Sequence, residues 1–129
     1  MLLDFLLLLI LIYISYQDIR SQEFNSVWLA TPLFLGALFY RVPVFLILAG
    51  YIICLTINTS THERYVGNGD LDILVIILFY VNFYNFWLIC TCSCGIQIFC
   101  HYINGKKTLP FVPAITLSYG IVVAYTFLF

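Results

Sequence analysis

Six apolar runs, separated by short polar breaks, make up almost the whole chain of 129 residues. The runs cover residues 1–15, 26–40, 43–58, 71–83, 86–104 and 110–129. Hydrophobic residues make up 64% of the sequence and charged residues only 9%, a balance far from that of globular domains. Because a helix needs about 20 apolar residues to cross a bilayer, we expect a polytopic membrane protein in which several spans are short.

The polar breaks between the runs predict how the helices are connected. Residues 16–25, 59–70 and 101–110 are expected to be loops, and residues 41–43 and 82–85 to be tight turns. This pattern predicts an all-α bundle of about six transmembrane helices, arranged as three hairpins that fill residues 1–129 as a single domain. One alternative stays open, in which residues 71–104 form one long tilted helix and an irregular segment.

The few basic residues indicate the orientation in the membrane, since cytoplasmic loops are enriched in Lys and Arg. Arg20, Arg64, Lys106 and Lys107 lie in the first, third and fifth connections, whereas only Arg41 lies on the other side. We therefore expect a multi-pass protein of the cytoplasmic membrane, with the first, third and fifth connections in the cytoplasm and both termini outside.

Two classes of ligand find no support in the sequence. The net charge is -1 and no basic tract is present, which excludes a nucleic-acid partner. Cys90, Cys92 and Cys94 lie two residues apart, so on a helix only the first and last share a face. We therefore expect no metal and no cofactor, and we interpret the five cysteines as buried thiols that act as small apolar residues.

The sequence Gly67-Asn68-Gly69-Asp70 places a carboxylate at the start of an apolar run, where a charge is costly and indicates function. A second acid, Asp18, lies at the end of the first run. Two carboxylates held together cannot both ionise easily, so they share one proton: one activates a water and the other protonates the leaving group. The pair predicts an aspartic protease working at the membrane surface.

Each acid also has a simpler interpretation. Asp70 is suited to capping the N-terminus of a helix, and Asp18 could be a solvated helix-end acid beside Arg20. The occurrence of both on the same predicted face of an acid-poor chain favours catalysis. Gly67 and Gly69 are expected to allow backbone conformations closed to other residues and close approach of an extended substrate.

Three landmarks of this chain together resemble those of the type IV prepilin peptidases. They are Asp18-Ile19-Arg20 followed by Phe24, then Gly67-Asn68-Gly69-Asp70, then Leu109-Pro110-Phe111-Val112-Pro113-Ala114. Their order and spacing match along nearly the whole chain. That family consists of six-helix aspartic proteases of the Gly-x-Gly-Asp class, related to the archaeal preflagellin peptidases.

The resemblance implies a set of functional residues and a substrate. It makes Asp18 and Asp70 the catalytic pair, and it places substrate-binding or hinge positions at Gly67, Asn68, Gly69, Pro110, Phe111 and Pro113. The implied partner, apart from the lipid bilayer, is the short basic leader of a prepilin or pseudopilin, cut at the cytoplasmic face after a glycine. Type IV pilus assembly or protein secretion would be the setting.

The chain departs from the family pattern at three places. Asn25-Ser26 stands where members often carry Pro-Asn, and Asp72 stands where they often carry Lys. Since two residues turn a helix by about 200°, Asp72 should not face the partner of Asp70. The cysteine-rich domain that precedes the core of bifunctional members has no room before Asp18, so we do not expect N-methylation of the product.

Two rival functions stay open at this point. One is a different Gly-x-Gly-Asp protease that cuts within the bilayer. The other is a non-enzymatic membrane carrier or assembly subunit whose acids bind a cation or a proton. For the peptidase, we expect the loop 59–70 to be mobile without substrate, since it carries small polar residues and two glycines.

Overall fold

The computed structural model describes residues 2–21, 25, 27–40, 43–61, 67–104 and 110–128. This part of the chain forms six helices and no strand. They are α1 (Leu2–Ser21), α2 (Val27–Phe39), α3 (Val44–Ser60), α4 (Asn68–Tyr80), α5 (Phe83–Asn104) and α6 (Val112–Leu128). The all-α prediction is therefore confirmed, with one helix for each apolar run.

Several helices run further into the polar breaks than the sequence predicted. α1 continues through Ser21 and α3 through Ser60, so the first and third loops are shorter than expected. The hydroxyl groups at both ends are satisfied within the helix: Ser60 Oγ donates to the carbonyl of Thr56 at 2.7 Å, and Ser21 Oγ donates to that of Gln17 at 2.9 Å.

The helical structure is interrupted between α4 and α5 at residues 81–82. Val81 has φ -123° and ψ 156°, an extended conformation that ends α4. The alternative of one long helix over residues 71–104 is therefore wrong, and the turn is shorter than the predicted 82–85.

The helices group into two compact units. Unit one comprises Met1–Asn25 and Phe83–Phe129, which hold α1, α5 and α6, and unit two comprises Ser26–Asn82, which hold α2, α3 and α4. In unit one α6 packs against both α1 and α5, and in unit two α4 packs against both α2 and α3.

The core of unit one lies between α6 and its two neighbours, and on α1 it forms a stripe along one face of the helix. Its fully buried apolar members are Leu7, Leu11 and Ile14 of α1, Ile89 of α5, and Val112, Ile115 and Tyr119 of α6. On α1 the helical spacing of these buried residues continues to Ser15 and Asp18, which are also buried. The buried stripe of α1 therefore ends at the carboxylate of Asp18.

The core of unit two depends on close contact between α2 and α4. Gly36 lies so near α4 that a Cβ atom there would be 2.9 Å from the Tyr80 ring and 3.0 Å from the Phe79 Cβ. The Tyr80 hydroxyl donates to the Pro32 carbonyl at 2.6 Å. Gly36 and Pro32 thus place α2 against the ring of Tyr80.

Within the described residues, two helices are long and apolar enough to cross a membrane, Leu2–Ser21 and Phe83–Ile103. α2 and α4 have 13 residues each, which gives them a length of about 20 Å, less than the thickness of a hydrocarbon core. Large apolar side chains are exposed on both long helices, for example Phe5 at 59% and Ile98 at 72%. These features indicate membrane association.

Candidate functional site

Asp18 lies at the last buried position of the α1 stripe, with 8% of its surface exposed. Its Oδ2 atom accepts a hydrogen bond from the backbone N–H of Val112 at 3.3 Å. The interpretation of Asp18 as a solvated acid is therefore wrong, because the side chain points into unit one and contacts the first residue of α6. An anion at this place is stabilised by the positive end of the helix dipole.

The first turn of α6 contains one N–H group that needs an acceptor from outside the helix. Ala114 and Ile115 donate their N–H groups to the Phe111 carbonyl at 3.1 and 3.2 Å, and Pro113 has no N–H. The N–H of Val112 is the remaining donor of this turn, and Asp18 accepts it. The segment Phe111-Val112-Pro113 thus leaves one donor for an acid from another helix.

A third helix holds the segment that leads into α6. Gln97 of α5 donates from Nε2 to the Pro110 carbonyl at 3.0 Å. Pro110 and Phe111 are half-buried and precede the capped Val112. The structure therefore brings the predicted positions Pro110, Phe111 and Pro113 into the unit that holds Asp18.

A second polar contact lies one helical turn from the first. The hydroxyl oxygens of Ser15 and Thr116 are 2.6 Å apart, and both side chains are buried. Each hydroxyl is also within hydrogen-bonding distance of a carbonyl in its own helix, at Leu11 and Val112 respectively. This pair was not predicted, although Ser15 precedes Asp18 by three positions and Thr116 follows Val112 by four, as residues on one helical face do.

Asp70 lies in the first turn of α4. The N-cap residue is Gly67, whose carbonyl accepts the N–H of Asp70 at 3.1 Å, so Asp70 is the third residue of the helix and not its cap. The Asp70 side chain is half-buried. An acid in this turn is favoured by the helix dipole.

The backbone at Gly67 differs from the expected one. Its φ is -67° and its ψ 145°, a conformation open to any residue, so the predicted need for unusual backbone angles is wrong at this position. A Cβ atom at Gly67 would lie 3.4 Å from Asp70 Oδ2. The glycine therefore leaves space beside the carboxylate, which is consistent with close approach of a ligand.

The Gly-x-Gly-Asp segment is tied to α3 by a pair of amides. Asn58 donates from Nδ2 to Asn68 Oδ1 at 2.9 Å, and Asn58 is the buried residue of α3, with 7% of its surface exposed. Residues 59 and 60 belong to α3 and residues 68–70 to α4, so the predicted mobile loop 59–70 is largely helical at both ends. Its central part, 62–66, lies outside the described residues.

The two candidate acids belong to different units, Asp18 to unit one and Asp70 to unit two. The structure thus describes the surroundings of each acid, and their pairing stays a prediction from the sequence. Of the basic residues that predict the orientation, Arg20 lies in the last turn of α1 and is exposed. Arg41, Arg64, Lys106 and Lys107 lie outside the described residues, and so do Phe24, Ser26 and Leu109 of the sequence landmarks.

The cysteines are more accessible than predicted. Cys54, Cys92 and Cys94 are exposed, and Cys90 and Cys100 are half-buried. The prediction of buried thiols is therefore wrong, because these residues lie on the outer faces of α3 and α5. Over the described residues, no group of three or more His, Cys, Asp or Glu side chains is placed to hold a metal ion.

Comparisons of the chain with protein-family models, with curated proteins and with solved structures find no match. The likeness to the type IV prepilin peptidases therefore rests on the three sequence landmarks. The geometry adds to it one contact between landmarks, from Asp18 of the first to Val112 of the third.

Proposed function

We propose that this chain is a membrane aspartic endopeptidase that removes the basic leader of a prepilin-like or pseudopilin-like substrate at the cytoplasmic face. The observation that carries the proposal is the contact of Asp18 with Val112. These residues are 94 positions apart, and each belongs to a separate landmark of the family that the sequence resembles. A buried acid on a membrane helix is costly, which supports a functional role for it.

In the proposed mechanism, Asp18 and Asp70 share one proton. One carboxylate takes a proton from the attacking water, while the protonated one donates its proton to the carbonyl oxygen. When the tetrahedral intermediate breaks down, the first carboxyl gives the proton it gained to the leaving amine, and the second takes a proton back from a hydroxyl of the intermediate. The Val112 N–H helps to hold Asp18 in one orientation, and the space beside Gly67 admits the extended substrate backbone to Asp70. The reaction needs no cofactor in this scheme.

The proposal places the protein in the membrane as a bundle of about six spans. α1 and α5 cross it completely, and the shorter apolar helices α2, α3 and α6 complete the bundle with α4. Exposed apolar side chains such as Phe45, at 92%, and Ile121, at 63%, support a lipid-facing outer surface. The catalytic acids lie at helix ends on the side that the basic residues assign to the cytoplasm.

Co-expression with a candidate prepilin tests the activity, with leader removal read on a gel. We expect Asp18→Asn and Asp70→Asn each to abolish cleavage, because an amide cannot exchange the shared proton. Asp4→Asn is the matched control, since it removes an acid at the other end of α1, and cleavage should continue. All variants must reach the membrane in similar amounts.

Near-normal turnover in either active-site variant would refute the dyad. The same assay separates the proposal from its rivals. A carrier or assembly subunit would leave the leader intact, and a protease that cuts within the bilayer would give a product lacking part of the hydrophobic segment.

A further inference from the structure

Unit two contains a cavity of about 230 Å³ between α2, α3 and α4. Apolar side chains form most of its wall, and Tyr51 and Asp72 supply its polar groups. The apolar members are Leu29, Ala30, Leu33, Leu48, Val75 and Ile76. Ala30 and Leu48 are exposed, so the cavity reaches the surface of the unit.

The polar groups of this cavity are paired with each other. The Tyr51 hydroxyl of α3 donates to Asp72 Oδ1 of α4. Asp72 is half-buried, and within the described part of the chain no basic side chain forms an ion pair with it. Tyrosine is a neutral donor, so within the described residues no cation compensates the carboxylate of this mostly apolar site, a setting that favours binding of a cation.

The shape and charge of the cavity select one kind of cation. A lysine side chain has an apolar stem and a compact ammonium group at its end, which match the apolar wall and the single carboxylate. Arginine binds carboxylates best through both oxygens at once, but Tyr51 already occupies Oδ1 of Asp72. The cavity volume of about 230 Å³ corresponds to several waters of about 30 Å³ each, which is enough for the four-carbon stem of a lysine.

We propose that the Tyr51–Asp72 cavity is a subsite that binds a lysine side chain of the substrate leader. This inference rests on the proposed function, and it adds the side-chain type that the enzyme recognises. Asp72 lies two residues beyond Asp70 on α4, so the subsite lies at nearly the same height along the helix as the proposed catalytic acid, but on another face of it.

Binding of a defined peptide tests the subsite. The full chain carrying Asp70→Asn, which blocks cleavage, is placed in phosphatidylcholine nanodiscs. A fluorescent leader peptide with one lysine is compared with its norleucine analogue by anisotropy. We expect the lysine peptide to bind roughly tenfold more tightly, as one charged contact provides. Combined with Asp70→Asn, the substitution Asp72→Asn should remove the preference for the lysine peptide, and Asp72→Glu should retain it.

A steric variant tests the cavity independently of its charge. Ala30→Trp should fill the cavity and weaken binding of both peptides, whereas Ala37→Trp, at an exposed position of α2 outside the cavity wall, should not. A lysine preference that survives Asp72→Asn, or binding that ignores Ala30→Trp, would overturn the proposal. Cleavage by the protein with Asp70 intact is measured in parallel. Normal cleavage together with either of those outcomes refutes the subsite alone, while absent cleavage refutes the proposed function.

Discussion

Asp18 has two separable roles at the scale of a single residue. Its carboxylate accepts the Val112 N–H at the start of α6, which is a structural role, and in the proposed peptidase it would also exchange the catalytic proton. An amide oxygen can accept the same hydrogen bond but cannot exchange a proton at neutral pH. The two roles can therefore be distinguished by the choice of substitution.

We expect Asp18→Asn to keep the stability of the wild type within experimental error and Asp18→Ala to lower the free energy of unfolding by about 1 kcal/mol, the usual effect of losing a helix cap. Both should lack cleavage activity. Thermal unfolding in detergent measures the first effect and the leader assay the second. Equal destabilisation by the two substitutions would show that the Val112 contact is not what the carboxylate contributes.

At the scale of the helices, two polar contacts join α1 to α6 and form a short polar ladder. Asp18 accepts the N–H of Val112, and the hydroxyl groups of Ser15 and Thr116 form a hydrogen bond. The second contact lies in the buried stripe, where an unpaired hydroxyl is unfavourable. It therefore fixes the position of α1 along α6, and through it the position of Asp18.

A double-mutant cycle with Ser15→Ala and Thr116→Val tests this ladder. We expect a coupling of about 0.6 kcal/mol, the average for hydrogen bonds between membrane helices. Thr126→Val is the control partner, because among the described residues the Thr126 hydroxyl bonds within its own helix, to Val122 and Val123. If the coupling energy of Ser15 with Thr116 is no larger than that of Ser15 with Thr126, the hydrogen bond between Ser15 and Thr116 is contradicted.

The approach of α2 to α4 gives a second test at this scale. Gly36→Ala should destabilise the protein by about 1–3 kcal/mol, because the added methyl would overlap the Tyr80 ring. Gly50→Ala is the matched control in α3, where a Cβ atom meets nothing within 4 Å. That substitution should be neutral or stabilising by up to about 1 kcal/mol, since alanine favours a helix. Thermal unfolding that ranks the two in the opposite order would rule out the close packing.

The orientation of the whole molecule in the membrane depends on few charges and is directly testable. In a background without native cysteines, Thr61→Cys at the end of α3 marks the third connection, and Asn82→Cys, just after α4, marks the fourth. We expect an impermeant maleimide added outside to label the second and not the first, because the basic residues assign the Thr61 end to the cytoplasm. External labelling at position 61 would reverse the proposed topology.

The six helices could be predicted from the sequence alone, because each apolar run is long enough to form a helix and each polar break is too polar to be buried. Asp18 and Asp70 were found in the same way, as rare acids at the ends of apolar runs. Their chemical type and their place along a helix are local properties. The helix ends were less predictable, since polar residues such as Ser60 and Ser21 remain helical with their hydroxyl groups bonded to the preceding turn.

The partners of these residues were decided by the tertiary structure. Helical periodicity shows which residues share a face, but not which other helix packs against that face or at what height. The contacts from Asp18 to Val112, from Asn58 to Asn68 and from Tyr51 to Asp72 therefore had no readable signal in the sequence. Each of them joins two helices, and packing sets the register between helices only once the chain has folded.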